Sequence, residues 1–327
     1  MGPLLYICFT NDLPEVVHNH LATNDTFYNT HCKSCGGICC CADESTYTKS
    51  DKNPEVVQNS IEDKYNQIAT YMSQNKLILN NSKTHLIILA TRNQHRQNGN
   101  YRITLDTGAE EKIEPISCEK LLGGYISNDF KWNEHIRGSD GSIFKSVTSR
   151  INALKRISFF STFKNRKMIA NGIIMSRFVY LIQLWGGCPE YLLNFLQILQ
   201  NKAARLVCNK DRYTPVTVLL SSCGWLSIRQ LVAYHRVLLL FKIKCEGKPK
   251  YFEHKFSSDQ NPAYKTRFQE DGRIRKPRIY KKDESKTSFV PDSIDVWNRL
   301  PVTIRKSETL KKFKERVKSW ISVNIEI

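Results

Sequence analysis

The chain has 327 residues, 41% of them hydrophobic and 24% charged, with a net charge of +18 and a pI near 9.4. That length and balance suit a globular protein of two or three domains and exclude an intrinsically disordered polymer. No apolar run is long enough for a membrane span, and the eleven cysteines form no tidy disulfide framework. With no secretory leader recognisable in "MGPLLYICF", a reducing, intracellular setting is expected.

The charge is unevenly placed. Residues 1–136 carry 12 Lys+Arg against 16 Asp+Glu, residues 137–250 carry 19 against 4, and residues 251–327 carry 18 against 11. A slightly acidic first part therefore precedes a strongly basic middle, a pattern that points to a polyanionic partner.

In chain order, "GPLLYICFTNDLPEVV" suits a helix ending near Leu13-Pro14, because proline disfavours helix at the preceding residue, and a polar loop follows to about Ser34. "GICCCADESTYTKS" reads as a strand, a turn at Ala-Asp-Glu and a second strand. "NPEVVQNSIEDKYNQIATYMSQNKLILN" predicts an amphipathic helix with Val57, Ile61, Ile68 and Met72 on one face. "KTHLIILAT" predicts a buried strand, and "YRITLDTGAEEKIEPISCEKLLGGYIS" short strands joined by turns. From about Trp132 the period becomes helical, through four segments ending at Cys245. The polar, basic stretch 257–286 is weakly periodic and is expected to lack regular structure, and "SETLKKFKERVKSWISV" predicts a last helix.

The order of these motifs resembles the reverse transcriptase of non-LTR retrotransposons, particularly the jockey-like group, over nearly the whole chain. "GPLLYICFTNDLPEVV" resembles the segment after that family's Gln-Gly pair, and "CADESTY" its active-site box. "NKLILNNSKTHLIIL" is similar to the next motif, "KLLGGYISNDFKWNEHI" to the primer-grip region, and "YLIQLWGG" with "LQNKAARLV" to the thumb. "SFVPDSIDVWNRLPVTIRKSETLKKFKERVKSWI" resembles a C-terminal block found in such elements.

The resemblance implies an α+β fold: the C-terminal part of a polymerase palm (1–93), a primer-grip-like β hairpin region (94–135), an all-α thumb-like domain (136–252) and a basic C-terminal block (253–327). It implies two-metal nucleotidyl transfer with Mg²⁺ or Mn²⁺, Asp43 being the main metal ligand and Glu44 standing where the family has a second aspartate. The extra methylene of Glu displaces its carboxylate by roughly 1.5 Å, and an error of about 1 Å can cost about a hundredfold in rate. The family's other catalytic aspartate and its fingers lie upstream of the motif with which this sequence opens. The expectation is therefore a polymerase remnant that does not catalyse alone, its partners being an RNA template and a DNA primer. The alternative is a non-catalytic basic nucleic-acid-binding protein.

By the same resemblance Lys83 lies near the incoming nucleotide, and Gly123 and Gly124 form the primer-grip turn; an ordinary surface lysine and an ordinary hairpin turn are the competing readings. Arg150, Lys155, Arg156, Lys164, Arg166 and Lys167 form a basic run interleaved with Phe159, Phe160 and Phe163. Phosphate contacts with aromatic stacking would suit a nucleic-acid grip, although at least two of the phenylalanines are expected in the core. Trp185, Trp225, Trp297 and Trp320 read as packing residues. Cys32 and Cys35 have the spacing of a zinc half-site that Cys39 or His31 would have to close. The preferred reading makes Cys39, Cys40 and Cys41 small apolar strand residues, with no zinc.

Overall fold

A computed structural model of the chain describes residues 29–32, 36–41, 44–89, 104–105, 112–138, 140–247, 256, 271–276 and 288–325, with 29–32, 36–41 and 44 described by their backbone. The fold is mixed α and β, with small sheets first and helices after them. It divides into two compact units, residues 1–121 with 126–130, and residues 122–125 with 131–327. The helix expected to end near Leu13-Pro14 lies outside the described residues.

In the first unit β1 (Asn29–Cys32), β2 (Gly36–Cys41) and β3 (Glu44–Thr48) form an antiparallel sheet in that order. The polar loop expected up to Ser34 is thus partly a strand. Asn-Thr-His-Cys has no alternating apolar pattern, and its pairing with β2 makes it one. Helix α1 (Pro54–Gln74) starts where Asn53 accepts the Glu55 N–H at 3.0 Å, with Pro54 in the first turn where no N–H is needed. It ends in a Schellman motif: the Leu77 N–H bonds Met72 O at 2.8 Å and the Lys76 N–H bonds Ser73 O at 3.0 Å. Lys76 takes the left-handed position, φ 57°.

The apolar face of α1 serves two small clusters. Met72 is buried with Ile68, Tyr47, Leu77 and Leu79 around it. Val57 and Ile61 pack on Leu86 and Leu105. The Gln58 amide ties down Thr104 by accepting its N–H at 3.1 Å and donating to its carbonyl. The strand expected over "KTHLIILAT" is only β4 (Leu86–Ile87), paired in parallel with β5 (Pro115–Ile116). Two residues of pairing suffice to bury Leu86, while Ile88 is held by packing. Then β6 (Cys118–Leu121) and β7 (Gly124–Ser127) make a two-stranded sheet.

The second unit holds α2 (Asn133–Arg137), α3 (Ile143–Ser158), α4 (Phe163–Ala170), α5 (Ser176–Val179) and α6 (Ile182–Trp185). A π-helical turn, Asn171–Met175, joins α4 to α5 without a break. The helix ends where Tyr180 turns extended and Leu181 becomes left-handed. After these come α7 (Glu190–Cys208), α8 (Val216–Cys223) and α9 (Ile228–Glu246). Last are α10 (Phe289–Arg299), α11 (Val302–Arg305) and α12 (Leu310–Asn324).

One core runs through this unit, with Ile136, Val147, Leu154, Phe178, Leu196, Trp185, Trp297 and Phe313 all within 1% of full burial. Trp225 and Trp320 pack against it half-buried. The residues of 253–327 that are described therefore share the core of the helices before them. Helix α9 is the centre, packing on both α10 and α12. A capping box at Ser227 starts it, and while the Gln230 Oε1 completes that box, the Gln230 Nε2 donates to Ile325 O at 2.7 Å, fastening the end of α12.

Most of the weakly periodic stretch 257–286 lies outside the described residues. Its part 271–276 is docked. The Asn298 side chain accepts the Ile274 N–H at 3.0 Å and donates to Ile274 O at 2.8 Å, and the Trp297 indole donates to Gly272 O at 2.9 Å. Among the described residues no single helix is long and apolar enough to cross a membrane.

Candidate nucleic-acid interface

The α3–α4 corner is built by where the α3 stripe stops. Ile143, Val147, Ile151 and Leu154 fill one face at helical spacing, and the helix ends four residues later. Phe159 and Phe160 fall beyond it, so no helical face carries them inward. They are 89% and 87% exposed, and their rings meet edge to face with centroids 5.3 Å apart. Phe163 is 41% exposed on the first turn of α4. The expectation that at least two of these rings are buried is thus overturned.

The charges around the pair divide into two kinds. Lys155 and Arg156 on the last turn of α3, and Lys164 on the first turn of α4, are exposed and make no ion pair among the described residues. Arg166 faces the other way. Its Nε donates to Val207 O at 3.0 Å and its Nη1 to Ser158 O at 3.1 Å and Ser161 O at 2.5 Å, so one guanidinium closes the ends of α3 and α7 and the connection from α3 to α4. Arg150 Nη1 donates to Ile173 O at 2.8 Å, inside the π turn where the helical ladder is out of step. Burial and the neighbouring Arg177 hold its pKa below the usual arginine value. Lys167 is half-buried, its amine facing Gly224. Of the six basic residues singled out, Lys155, Arg156 and Lys164 remain for a ligand. Arg150 and Arg166 are scaffold, and Lys167 is largely withdrawn.

A second aromatic–cation pair follows α7, the helix whose last turn Arg166 holds. Tyr213 is 77% exposed with the Arg212 guanidinium 4.9 Å from its ring centroid. Asp211 shapes that turn, one carboxylate oxygen accepting the N–H groups of Tyr213 and Thr214 at 3.1 Å each. Sequence reasoning missed this pair; the available signal was "KDRY" in a turn ahead of a proline.

The hairpin β6–β7 turns on Leu122 and Gly123, with φ of 46° and 79°. Two successive positive φ values mark a type I′ turn, which favours glycine. Tyr180 fixes its tip by donating its hydroxyl to Leu122 O, and a Cβ on Gly123 would lie 3.3 Å from the Tyr180 ring. The open side of Gly123 is thereby filled from within the protein, and Gly124 is buried. Behind the turn, buried His135 accepts the Tyr125 N–H on Nδ1 at 3.4 Å. Burial, with Arg177 adding repulsion, pushes the imidazole pKa down to about 4, so the ring is neutral.

In the first unit β2 and β3 close as a hairpin whose last pair is Cys41 with Glu44. Asp43 occupies the two-residue connection and lies outside the described residues. Glu44 opens β3. Lys83 ends an exposed 3₁₀ turn, Asn81–Lys83, whose start is braced by Ser82 Oγ on Asn80 Oδ1 at 2.6 Å. Cys32 pairs with Gly36, whereas Cys39 pairs with Asn29, three residues along the strand. Cys35 lies outside the described residues, as do the side chains of His31, Cys32 and Cys39.

Searches against protein-family models, curated proteins and solved structures returned no match.

Proposed function

We propose that this chain binds single-stranded nucleic acid through the α3–α4 corner of its helical unit, as a reverse-transcriptase-like protein of the non-LTR retrotransposon type. The supporting observation is the solvent-facing Phe159–Phe160 pair flanked by Lys155, Arg156 and Lys164. Bases stack on exposed rings whatever their sequence, and nearby cations take the phosphates. On this reading Arg166 is a positioning residue: it holds the corner and leaves the ligand to its neighbours. The partners are an RNA template and a DNA primer.

Titration of labelled single-stranded RNA and DNA oligonucleotides at a series of salt concentrations tests this. With three to five phosphate contacts, from Lys155, Arg156, Lys164 and the exposed Lys210 and Arg212 that follow α7, the log–log slope is expected between about −2 and −3.5. Binding that ignores salt, or no binding, contradicts the proposal.

A second reading, nucleotidyl transfer, is favoured by the β2–β3 hairpin, because its last pair, Cys41 with Glu44, leaves a two-residue connection that carries Asp43 next to Glu44 in the sequence. Two adjacent carboxylates are a hard-oxygen donor set that suits Mg²⁺ or Mn²⁺. The metal would supply charge stabilisation for the transferring phosphoryl group. Primer extension on an RNA template, with Asp43→Ala as control, decides it. Extension that the variant abolishes supports polymerisation, and no extension leaves the binding role alone.

A further inference from the structure

Two thiols meet where α7 and α8 end. Cys208 is the last residue of α7 and Cys223 the last of α8, each followed by a left-handed residue, Asn209 or Gly224. Their sulfurs stand 3.4 Å apart, although the residues are 15 positions apart in the chain. A disulfide needs about 2.05 Å, so an approach of roughly 1.4 Å joins them. Helix ends allow that approach at little cost, because the terminal turn opens more readily than the middle of a helix. The Cys208 thiol also points at Leu219 O, 3.9 Å away and one turn before Cys223. The two sulfurs differ in access. Cys208 is half-buried, whereas Cys223 is wholly enclosed. Burial, with the Cys208 thiol beside it, pushes the Cys223 pKa up to about 12, and the Lys167 charge works the other way. Cys208 is therefore the sulfur that a reagent from solvent meets first, and Cys223 is held behind it.

We propose that Cys208 and Cys223 are a redox pair that closes to a disulfide by exchange with a small-molecule disulfide such as oxidised glutathione, fastening the ends of α7 and α8 together. The Cys208 thiolate attacks one sulfur of the small disulfide, forming a mixed disulfide and releasing one thiolate. Cys223 then gives up its proton and attacks the Cys208 sulfur, and the second thiolate leaves. Both protein sulfurs are oxidised, the small disulfide is reduced to two thiols, and the two protein protons end on those thiols. Lys167, whose amine faces Gly224 beside Cys223, supplies a positive charge that favours the attacking thiolate. The ring so closed contains the turn that carries Arg212 and Tyr213, so oxidation ties that turn down at both ends and reduction releases it. The inference rests on the sulfur geometry and is independent of the nucleic-acid reading.

The test is peptide mapping of the full chain after equilibration with reduced and oxidised glutathione, free thiols being alkylated before digestion with trypsin. Excess oxidised glutathione should join the peptide "LVCNK" (206–210) to "YTPVTVLLSSCGWLSIR" (213–229), at a mass two hydrogens below their sum. Excess reduced glutathione should part them. Melting of the same two samples should place the oxidised chain higher in Tm by roughly 5 °C or more, since the bridge constrains the unfolded chain. Cys208→Ala, at the half-buried position, should remove both the linked peptide and the Tm difference. The mapping of the unaltered chain needs no variant, so it decides the matter even if that one fails to fold. Cys208 and Cys223 both recovered alkylated from excess oxidised glutathione would overturn the proposal. So would Cys208 carrying glutathione beside an alkylated Cys223, Cys208 linked to other cysteines in equal yield, or a linked chain that melts no higher than the reduced one.

Discussion

Leaving Phe159 and Phe160 in water forgoes roughly 1.5–3 kcal/mol of burial for each ring, an outlay that a purely structural corner would not need. Replacing either by Ala is expected to leave Tm within about 1 °C, since so little is packed on them, while weakening oligonucleotide affinity by about 1–3 kcal/mol per lost stack. Calorimetric melting and fluorescence anisotropy on the same preparations check the two halves of that statement. Lys76 makes the opposite case. Its left-handed backbone costs roughly 1–2 kcal/mol relative to glycine, so Lys76→Gly should raise the unfolding free energy by about 1 kcal/mol in urea titration. The phenylalanines were legible in the sequence as aromatics among cations, but not as exposed ones. Burial depends on where α3 stops, and no residue in "KRISFFSTF" announces that stop as a glycine or proline would.

At the scale of elements, Arg166 links three carbonyls at the ends of α3, α7 and the connection between α3 and α4. Arg166→Ala should lower stability by about 2–4 kcal/mol, because it uncaps buried carbonyls, and should weaken nucleic-acid binding only through the displaced corner. Arg166→Lys keeps the charge but loses the fork, and it should recover binding less well than Lys164→Arg retains it. A measured affinity for Arg166→Lys equal to wild type would show that charge alone matters there. Helices α1, α7, α9 and α12 were readable from their apolar spacing and their caps. Strand β1 was not, because its residues carry no pattern of their own and are strand only by pairing. The π turn at Asn171–Met175 was equally hidden, and so was the Arg150 contact to Ile173 O within it, which comes from another helix. The site inherited the same limit. Cations could be read from the sequence as a run, but not which of them are spent on carbonyls.

For the whole molecule, buried His135 and half-buried His235 each contribute to the response to acid. Burial is the main cause for both, aided by Arg177 beside His135 and by Lys314 beside His235, and each folded-state pKa falls to about 4. Their unfolded value is near 6.5, so between pH 6.5 and 4 the unfolded chain binds more protons than the folded one. Their contribution is therefore complete above about pH 6.5 and is lost as pH falls through about 4. Tm should drop over that window, and His235→Gln, which removes one of the two titrating rings, should flatten the drop. The basic excess in residues 137–250 was plain from composition, and it is the ground on which a polyanionic partner is proposed. What composition could not give is where on a +18 chain the partner sits.

The most direct test of that placement is oligonucleotide affinity of the Phe159→Ala/Phe160→Ala double variant, measured by anisotropy at fixed salt beside wild type. A loss of at least about tenfold, about 1.4 kcal/mol, with Tm unchanged, is the predicted result. Affinity equal to wild type would place the nucleic acid elsewhere and contradict the α3–α4 corner as its interface.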